Sequence, residues 1–90
     1  MFELALPCFY HTEETSDLLE AGLPFSYGDC NVREVIFYQV GIIAALAKEE
    51  GAFTEIKTAG YTVICALPVD VVRERVRQTY LKAAYYGGNS

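Results

Sequence analysis

The sequence predicts an α+β domain, a small and mostly antiparallel sheet of three or four strands with one C-terminal helix packed on a face. Residues 53–58 and 61–66 alternate in polarity on either side of Ala59-Gly60, which is typical of a two-stranded hairpin. Residues 69–86 place apolar side chains three and four positions apart, which is typical of an amphipathic helix. The composition, 52% hydrophobic and 21% charged, is that of a globular chain.

Ninety residues suffice for a single domain, residues 1–90, close to the lower limit at which a chain buries a self-sufficient core. We therefore expect this chain to associate with copies of itself or with another protein. We divide it into an acidic, aromatic-rich arm (1–30), a strand region (31–67) and a helix (68–86).

The arm combines one short strand with a long loop. Residues 2–10 are predicted as a strand at the edge of the sheet, because Pro7 cannot donate a hydrogen bond to a neighbouring strand. Thr15 or Ser16 is predicted to cap a single helical turn that ends at Glu20. The arm also holds large apolar side chains that we expect to pack on a partner, and we select Phe9, Phe25 and Tyr27 among them.

Residues 32–47 carry signals for both helix and strand. Asn31 with Glu34 matches a capping box, and Gly51 stands where a helix would end. The β-branched and aromatic run Val35–Tyr38 and the glycine at 41 favour strands instead. We predict two strands, about 33–39 and 41–47, bent at Gly41.

The hairpin and the C-terminal helix are the clearest elements. A charged turn at 48–52 precedes the hairpin, and Pro68 with Asp70 marks the start of the helix, which is predicted to stop at Gly87-Gly88. The apolar stripe of the helix is Val69, Val72, Val76, Tyr80 and Ala83.

Charge is distributed unevenly along the chain. The net charge is −5, but residues 1–30 contain six acidic and no basic side chains, while residues 70–90 contain four basic and two acidic ones. The acidic total disfavours nonspecific binding to nucleic acid. An acidic end and a basic end favour self-association.

The number of cysteines and the length of the apolar runs indicate the cellular compartment in which the protein is expected. An odd cysteine count without dense spacing fits a reducing compartment. The N-terminal stretch lacks the charged region of a signal peptide, and the longest apolar run, 35–47, is shorter than a membrane helix requires. We expect a soluble cytoplasmic protein with no contact to membranes.

No motif predicts catalysis or a cofactor. Cys8-x-x-His11 with Cys30 and Cys65 has the composition of a zinc site but lacks the second close ligand pair, so we interpret these thiols as structural. Cys30 as a nucleophile with His11 as base has no accompanying oxyanion motif. The carboxylates of Glu13, Glu14, Asp17 and Glu20 have no metal-loop spacing and are typical of a solvated surface.

One segment resembles a known family. The run Glu50-Gly51-Ala52-Phe53-Thr54-Glu55-Ile56-Lys57-Thr58-Ala59-Gly60-Tyr61, with the following strand and the helix containing Val71-Val72-Arg73-Glu74-Arg75-Val76, resembles the middle of the LytTR-type DNA-binding domain of bacterial response regulators. It is also similar to small flagellar proteins of the FlbD kind. The resemblance covers about residues 35–77 and implies a small sheet with a helix across it.

The same resemblance leaves the DNA contact unassigned. In LytTR domains a basic and aromatic segment is expected after the helix, whereas here the helix runs into AAYYGGNS. No DNA-contacting residue therefore carries over by position.

The function predicted from these observations is a non-enzymatic, self-associating protein-interaction module. The alternative is a LytTR-like DNA-binding or transcription-associated domain that uses the arginine face of the helix. The candidate partner-binding residues are Phe9, Phe25, Tyr27, Arg73, Arg77 and Tyr80.

Overall fold

A computed structural model describes residues 3–38 and 41–87, with side-chain surroundings described as far as Lys82. Its elements in chain order are strand β1 (Glu3–Tyr10), helix α1 (Glu13–Glu20), strands β2 (Asn31–Tyr38), β3 (Ile42–Lys48), β4 (Phe53–Thr58) and β5 (Thr62–Cys65), and helix α2 (Val69–Gly87). Short 3-10 turns, Tyr27–Asp29 and Glu49–Gly51, precede β2 and β4.

The strands form one antiparallel sheet in the order β2-β1-β5-β4-β3. The α+β arrangement with a C-terminal helix is confirmed, but the sheet has five strands where three or four were predicted. The two-strand interpretation of 33–47 and the hairpin at 53–66 are both confirmed. Gln39, the last residue of the first predicted strand, and Gly88, part of the predicted helix stop, lie outside the described residues.

The prediction that β1 lies at the edge of the sheet is wrong, because β1 pairs with β2 on one side and with β5 on the other. Pro7 is tolerated there for a geometric reason. The carbonyl of Pro7 accepts a 2.7 Å bond from the Ala66 amide, so the missing N–H of Pro7 also points towards the β5 side. Because β5 ends at Cys65, the missing donor falls just beyond the last ladder residue of that strand.

Helix α1 is longer than predicted and is capped by a different residue. Thr12 is its N-cap: the Thr12 side chain accepts from the Thr15 amide at 3.1 Å, and the Thr15 hydroxyl accepts from the Thr12 amide at 2.8 Å. This threonine pair reproduces the reciprocal bonds of a capping box, in which Glu or Gln usually stands at the second position. The expected cap at Thr15 or Ser16 is therefore wrong by about one turn.

The sheet is strongly curled. Strands β2 and β3 lie at opposite ends of the strand order, so in a flat sheet they would be about 19 Å apart. Only four residue steps join Tyr38 to Ile42, which span at most about 14 Å. The ring of Phe37 on β2 stacks with Tyr61 in the turn between β4 and β5, with centroids 6.5 Å apart, so the border strand β2 approaches that turn.

The core lies on the concave side of this curl, where α2 covers it. The buried apolar side chains are Leu4, Leu6, Cys8, Phe37, Ile56, Cys65 and Val72. Helix α2 contacts β1, β3 and β4, and among residues 69–82 of the helix Val72 is fully buried. No helix in the described part of the chain combines the length and apolar character needed to cross a membrane.

Candidate interaction surfaces

Phe9, Phe25 and Tyr27, which we predicted as partner contacts, pack against one another on the face of the sheet opposite the core. Tyr27 lies 5.2 Å from Phe9, 5.5 Å from Phe25 and 5.6 Å from Phe53 between ring centroids. Phe9 and Phe53 meet edge to face at 4.8 Å, and His11 packs on Phe25 at the same distance. We call these five side chains the aromatic cluster.

The aromatic cluster joins the arm to its own sheet. Phe9 is on β1 and Phe53 on β4, while Phe25 and Tyr27 come from the loop before β2. Phe9, Phe25, Tyr27 and Phe53 are half-buried, and aromatic pairs in these geometries contribute about 0.5–1.5 kcal/mol each beyond their buried area. Phe9, Phe25 and Tyr27 therefore have aromatic contacts within the same chain, whereas Leu19 and Leu23 of the arm remain more than half exposed.

His11 and Cys30, the residues considered for nucleophilic catalysis, line one open depression of about 190 Å³ beside the aromatic cluster. Each side chain has a different partner. The His11 ring lies 3.2 Å from the Thr15 hydroxyl, and the Cys30 thiol donates to the Ser26 carbonyl at 3.9 Å. The hydrogen bonds of the two side chains therefore run to Thr15 and Ser26 and not to each other.

The other predicted contact residues, Arg73, Arg77 and Tyr80, lie on exposed positions of α2. The Arg77 guanidinium donates two hydrogen bonds to the Glu74 carboxylate, at 3.1 Å and 2.8 Å. These bonds lower the pKa of Glu74 and raise that of Arg77. Arg77 is thus held in an ion pair within the helix surface, whereas Arg73 has no ion pair among the side chains that the structure describes.

The outer edge of β2 is a surface that the sequence did not single out. Within residues 3–38 and 41–87, β1 is the one strand that pairs with β2. The Pro7 carbonyl faces β5, so the backbone polar groups of Cys8 face β2 and bond to Arg33, directly opposite. Bonding direction alternates along a strand, so the amides and carbonyls of the even-numbered β2 residues point away from the sheet: Val32, Glu34, Ile36 and Tyr38.

The side chains of this β2 edge are mostly apolar and exposed. Val32 is 51% exposed, Ile36 40% and Tyr38 60%, and all three lie on the face of the sheet opposite the core. Only Glu34 adds a charge among them. Eight residues of unbroken register with β1 make this a long and regular edge.

The opposite edge of the sheet, strand β3, has features that hinder pairing with another strand. Its register with β4 shifts between Ile42 and Ala44, and Lys48 at its end forms a 3.5 Å ion pair with Glu55. Bulges and lysines are devices that proteins use to block pairing at an exposed edge. Strand β2 has no bulge, proline or lysine, and the guanidinium of Arg33 lies over the Tyr10 ring of the same sheet, 4.0 Å from its centroid. With Glu34 as its other charged residue, β2 is the more open of the two edges.

Two of the three cysteines face each other across the sheet. Cys8 on β1 lies directly opposite Cys65 on β5, and both are buried. The hydrogen bond from Cys8 to Cys65, reinforced by burial, raises the pKa of Cys8. The same bond lowers the pKa of Cys65 to about 7, although burial of the Cys65 thiol acts in the opposite direction. The Leu67 amide and the positive charge of Arg75 make smaller contributions that also lower this pKa. Cys8 therefore keeps the proton that the pair shares.

This thiol pair predicts a pH-dependent stability. The contribution of Cys65 is present in full above the ordinary thiol pKa of 9.0 and is lost as the pH falls through about 7. The contribution of Cys8 is present below 9.0 and is lost at higher pH. Stability should therefore rise between about pH 7 and pH 9 and then fall, which denaturant unfolding across this range measures.

Two variants control that experiment. Cys30→Ser, outside the pair, should keep the profile of the native protein, whereas Cys65→Val should flatten it between about pH 7 and pH 9. A Cys65→Val profile parallel to that of the native protein would contradict the assignment.

The described residues contain no group of three or more His, Cys, Asp or Glu side chains placed to hold a metal ion. Comparison of the chain with family models, curated proteins and solved structures finds no match.

Proposed function

We propose that this protein is a non-enzymatic protein-interaction module that self-associates in a reducing, cytoplasmic compartment. The observation that carries the proposal is the open edge of β2. It presents four residues with outward-pointing backbone donors and acceptors, and three of them, Val32, Ile36 and Tyr38, also have exposed apolar side chains.

A regular edge of this kind is a template for another strand. Unpaired amides and carbonyls in a row reproduce the hydrogen-bond pattern of a sheet interior, and proteins that remain monomeric normally block such an edge. Added strands gain main-chain hydrogen bonds and bury the neighbouring apolar side chains in one step. Protein association is therefore the activity that the surface supports best.

The small core supports the same proposal. Seven apolar side chains are buried, while eleven large hydrophobic ones stay exposed among the described residues. A chain of this length buries a smaller fraction of its surface than a larger domain does, so association that covers more apolar area adds stability. The uneven charge, acidic before residue 30 and basic after residue 70, gives two copies complementary regions.

Light scattering coupled to size-exclusion chromatography, at low and moderate salt, tests the proposal. We expect a dimer or larger assembly at both salt concentrations, because backbone pairing and apolar burial are screened little by ions. A monomer that persists at high protein concentration would overturn self-association. The variant Tyr27→Ala should leave the mass unchanged, since the Tyr27 ring packs inside the aromatic cluster.

The alternative function, DNA binding through the arginine face of α2, has weaker support. The Arg77–Glu74 pair reduces the positive charge available on that face, and the net charge of the chain is −5. Phosphate contacts release counterions, so such binding would weaken steeply as salt increases. We expect duplex DNA to show little affinity at moderate salt, and a steep salt dependence would favour the alternative.

A further inference from the structure

We infer that the partner of β2 is the β2 strand of a second copy, paired antiparallel about a two-fold axis beside Val35. The two five-stranded sheets would then join edge to edge into one continuous sheet. This inference rests on the proposed self-association and adds its surface, symmetry and register.

The two-fold axis restricts the register. When identical strands pair antiparallel in one sheet, the axis is perpendicular to the sheet and passes beside one residue, which faces its own copy. Residues at equal distances on either side then face each other. The possible dimers therefore differ only in the residue at the axis.

Hydrogen bonding selects Val35. With Val35 at the axis, Val32 faces Tyr38 of the second copy and Glu34 faces Ile36, so all four outward-pointing residues of each strand are paired. With Ile36 at the axis, Val32 would face a position beyond the end of β2. With Glu34 at the axis, Tyr38 would face a position before its start.

Side-chain chemistry selects the same register. An axis at Glu34 would place two carboxylates directly opposite each other, and like charges in facing positions destabilise a sheet. An axis at Val35 instead places a β-branched side chain, Val32, opposite the aromatic ring of Tyr38, a favourable cross-strand pair. Both side chains are more than half exposed in the single chain, so pairing gives each an apolar neighbour.

A charge-swap experiment tests this register. Ile36→Glu would place a glutamate opposite Glu34 at two symmetric positions of the dimer, and we expect the dissociation constant to increase at least about tenfold. Glu34→Lys alone should change it by less than about threefold, since the lysine faces an isoleucine. The double variant Glu34→Lys/Ile36→Glu forms two opposite-charge pairs, and we expect it to restore dimerisation.

Ile43→Glu is the matched control. Ile43 is 70% exposed on the β3 edge, and the variant has the same side-chain change and the same net charge as Ile36→Glu. Sedimentation equilibrium of the four variants and the native protein measures the constants, and circular dichroism checks that each is folded. We expect Ile43→Glu to dimerise as the native protein does.

The outcomes separate this inference from the proposed function. A monomeric native protein would overturn both. A stable assembly that Ile36→Glu leaves intact would overturn β2 pairing and leave self-association standing. Loss of the dimer in Ile36→Glu without rescue in the double variant would overturn the Val35 register, and would show that the β2 edge of one copy meets a different part of the second copy.

A cysteine placed at the axis gives a second test if the charged variants fail to fold. In this register Val35 faces its own copy at a position without direct hydrogen bonds, where Cα atoms are about 4.5 Å apart, within the range for a disulfide. With Cys30→Ser as background, Val35→Cys should form a covalent dimer when oxidised glutathione accepts the two electrons. Ile43→Cys on β3 should not, and equal cross-linking of the two variants would overturn the pairing.

Discussion

Leu6→Ala should lower the free energy of unfolding by about 2–5 kcal/mol, as expected for truncating a fully buried leucine. Leu6 is fully buried on β1, a central strand of the sheet, and faces the concave core. Removing its branched end leaves a cavity in addition to the lost apolar transfer energy. Urea unfolding monitored by circular dichroism measures the loss.

Ile43→Ala is the control for this prediction. Ile43 is 70% exposed at the bulge of β3, so the same kind of truncation should change the stability by less than about 0.5 kcal/mol. Equal losses in the two variants would show that the concave side of the sheet is not the core.

Thr54→Val should destabilise the domain by about 1–3 kcal/mol although it preserves the size of the side chain. The Thr54 hydroxyl is fully buried on β4 and donates a 2.8 Å hydrogen bond to the Leu67 carbonyl, just before α2. The valine cannot donate, and it leaves that carbonyl without this bond in the interior. Thermal and urea unfolding of the variant measure the cost.

Thr62→Val supplies the comparison. Thr62 is exposed on β5, where a β-branched apolar residue suits a strand equally well, so its replacement should be close to neutral. A neutral Thr54→Val would mean that the bond to Leu67 does not hold the start of α2 against the sheet.

Local patterns in the sequence predicted the elements with strong periodicity. The hairpin around Ala59-Gly60 and the long C-terminal helix were located to within a few residues, because alternation and three-to-four spacing are properties of a single segment. The two strands around Gly41 were predicted correctly because β-branched and aromatic residues outweighed the capping signals.

Relations between distant segments could not be predicted in the same way. Pro7 indicated an edge strand, since a proline breaks a ladder, yet whether its missing amide matters depends on where β5 ends. The number of strands and the curl of the sheet follow from such pairings. No local pattern carries that information.

The candidate surfaces show the same division. Phe9 and Tyr27 were selected because large aromatic residues need contacts, but the sequence does not say that Phe53 of the same chain supplies them. The β2 edge was not predicted because the local sequence pattern of a strand is the same whether the strand lies in the middle or at the border of a sheet. Exposure of Ile36 and Tyr38 became visible only with the strand order.

The pairing of β1 with β5 has a consequence for how the chain reaches its native state. Cys8 and Cys65 face each other although 57 positions separate them along the chain (65 − 8). During synthesis, β1 leaves the ribosome early, but it can pair with β5 only after the segment containing the β4–β5 hairpin has been synthesised. Contacts this remote slow folding, because loop closure costs entropy before the contacts form. We therefore expect the β3–β4–β5 meander to assemble first and the docking of β1 to limit the folding rate.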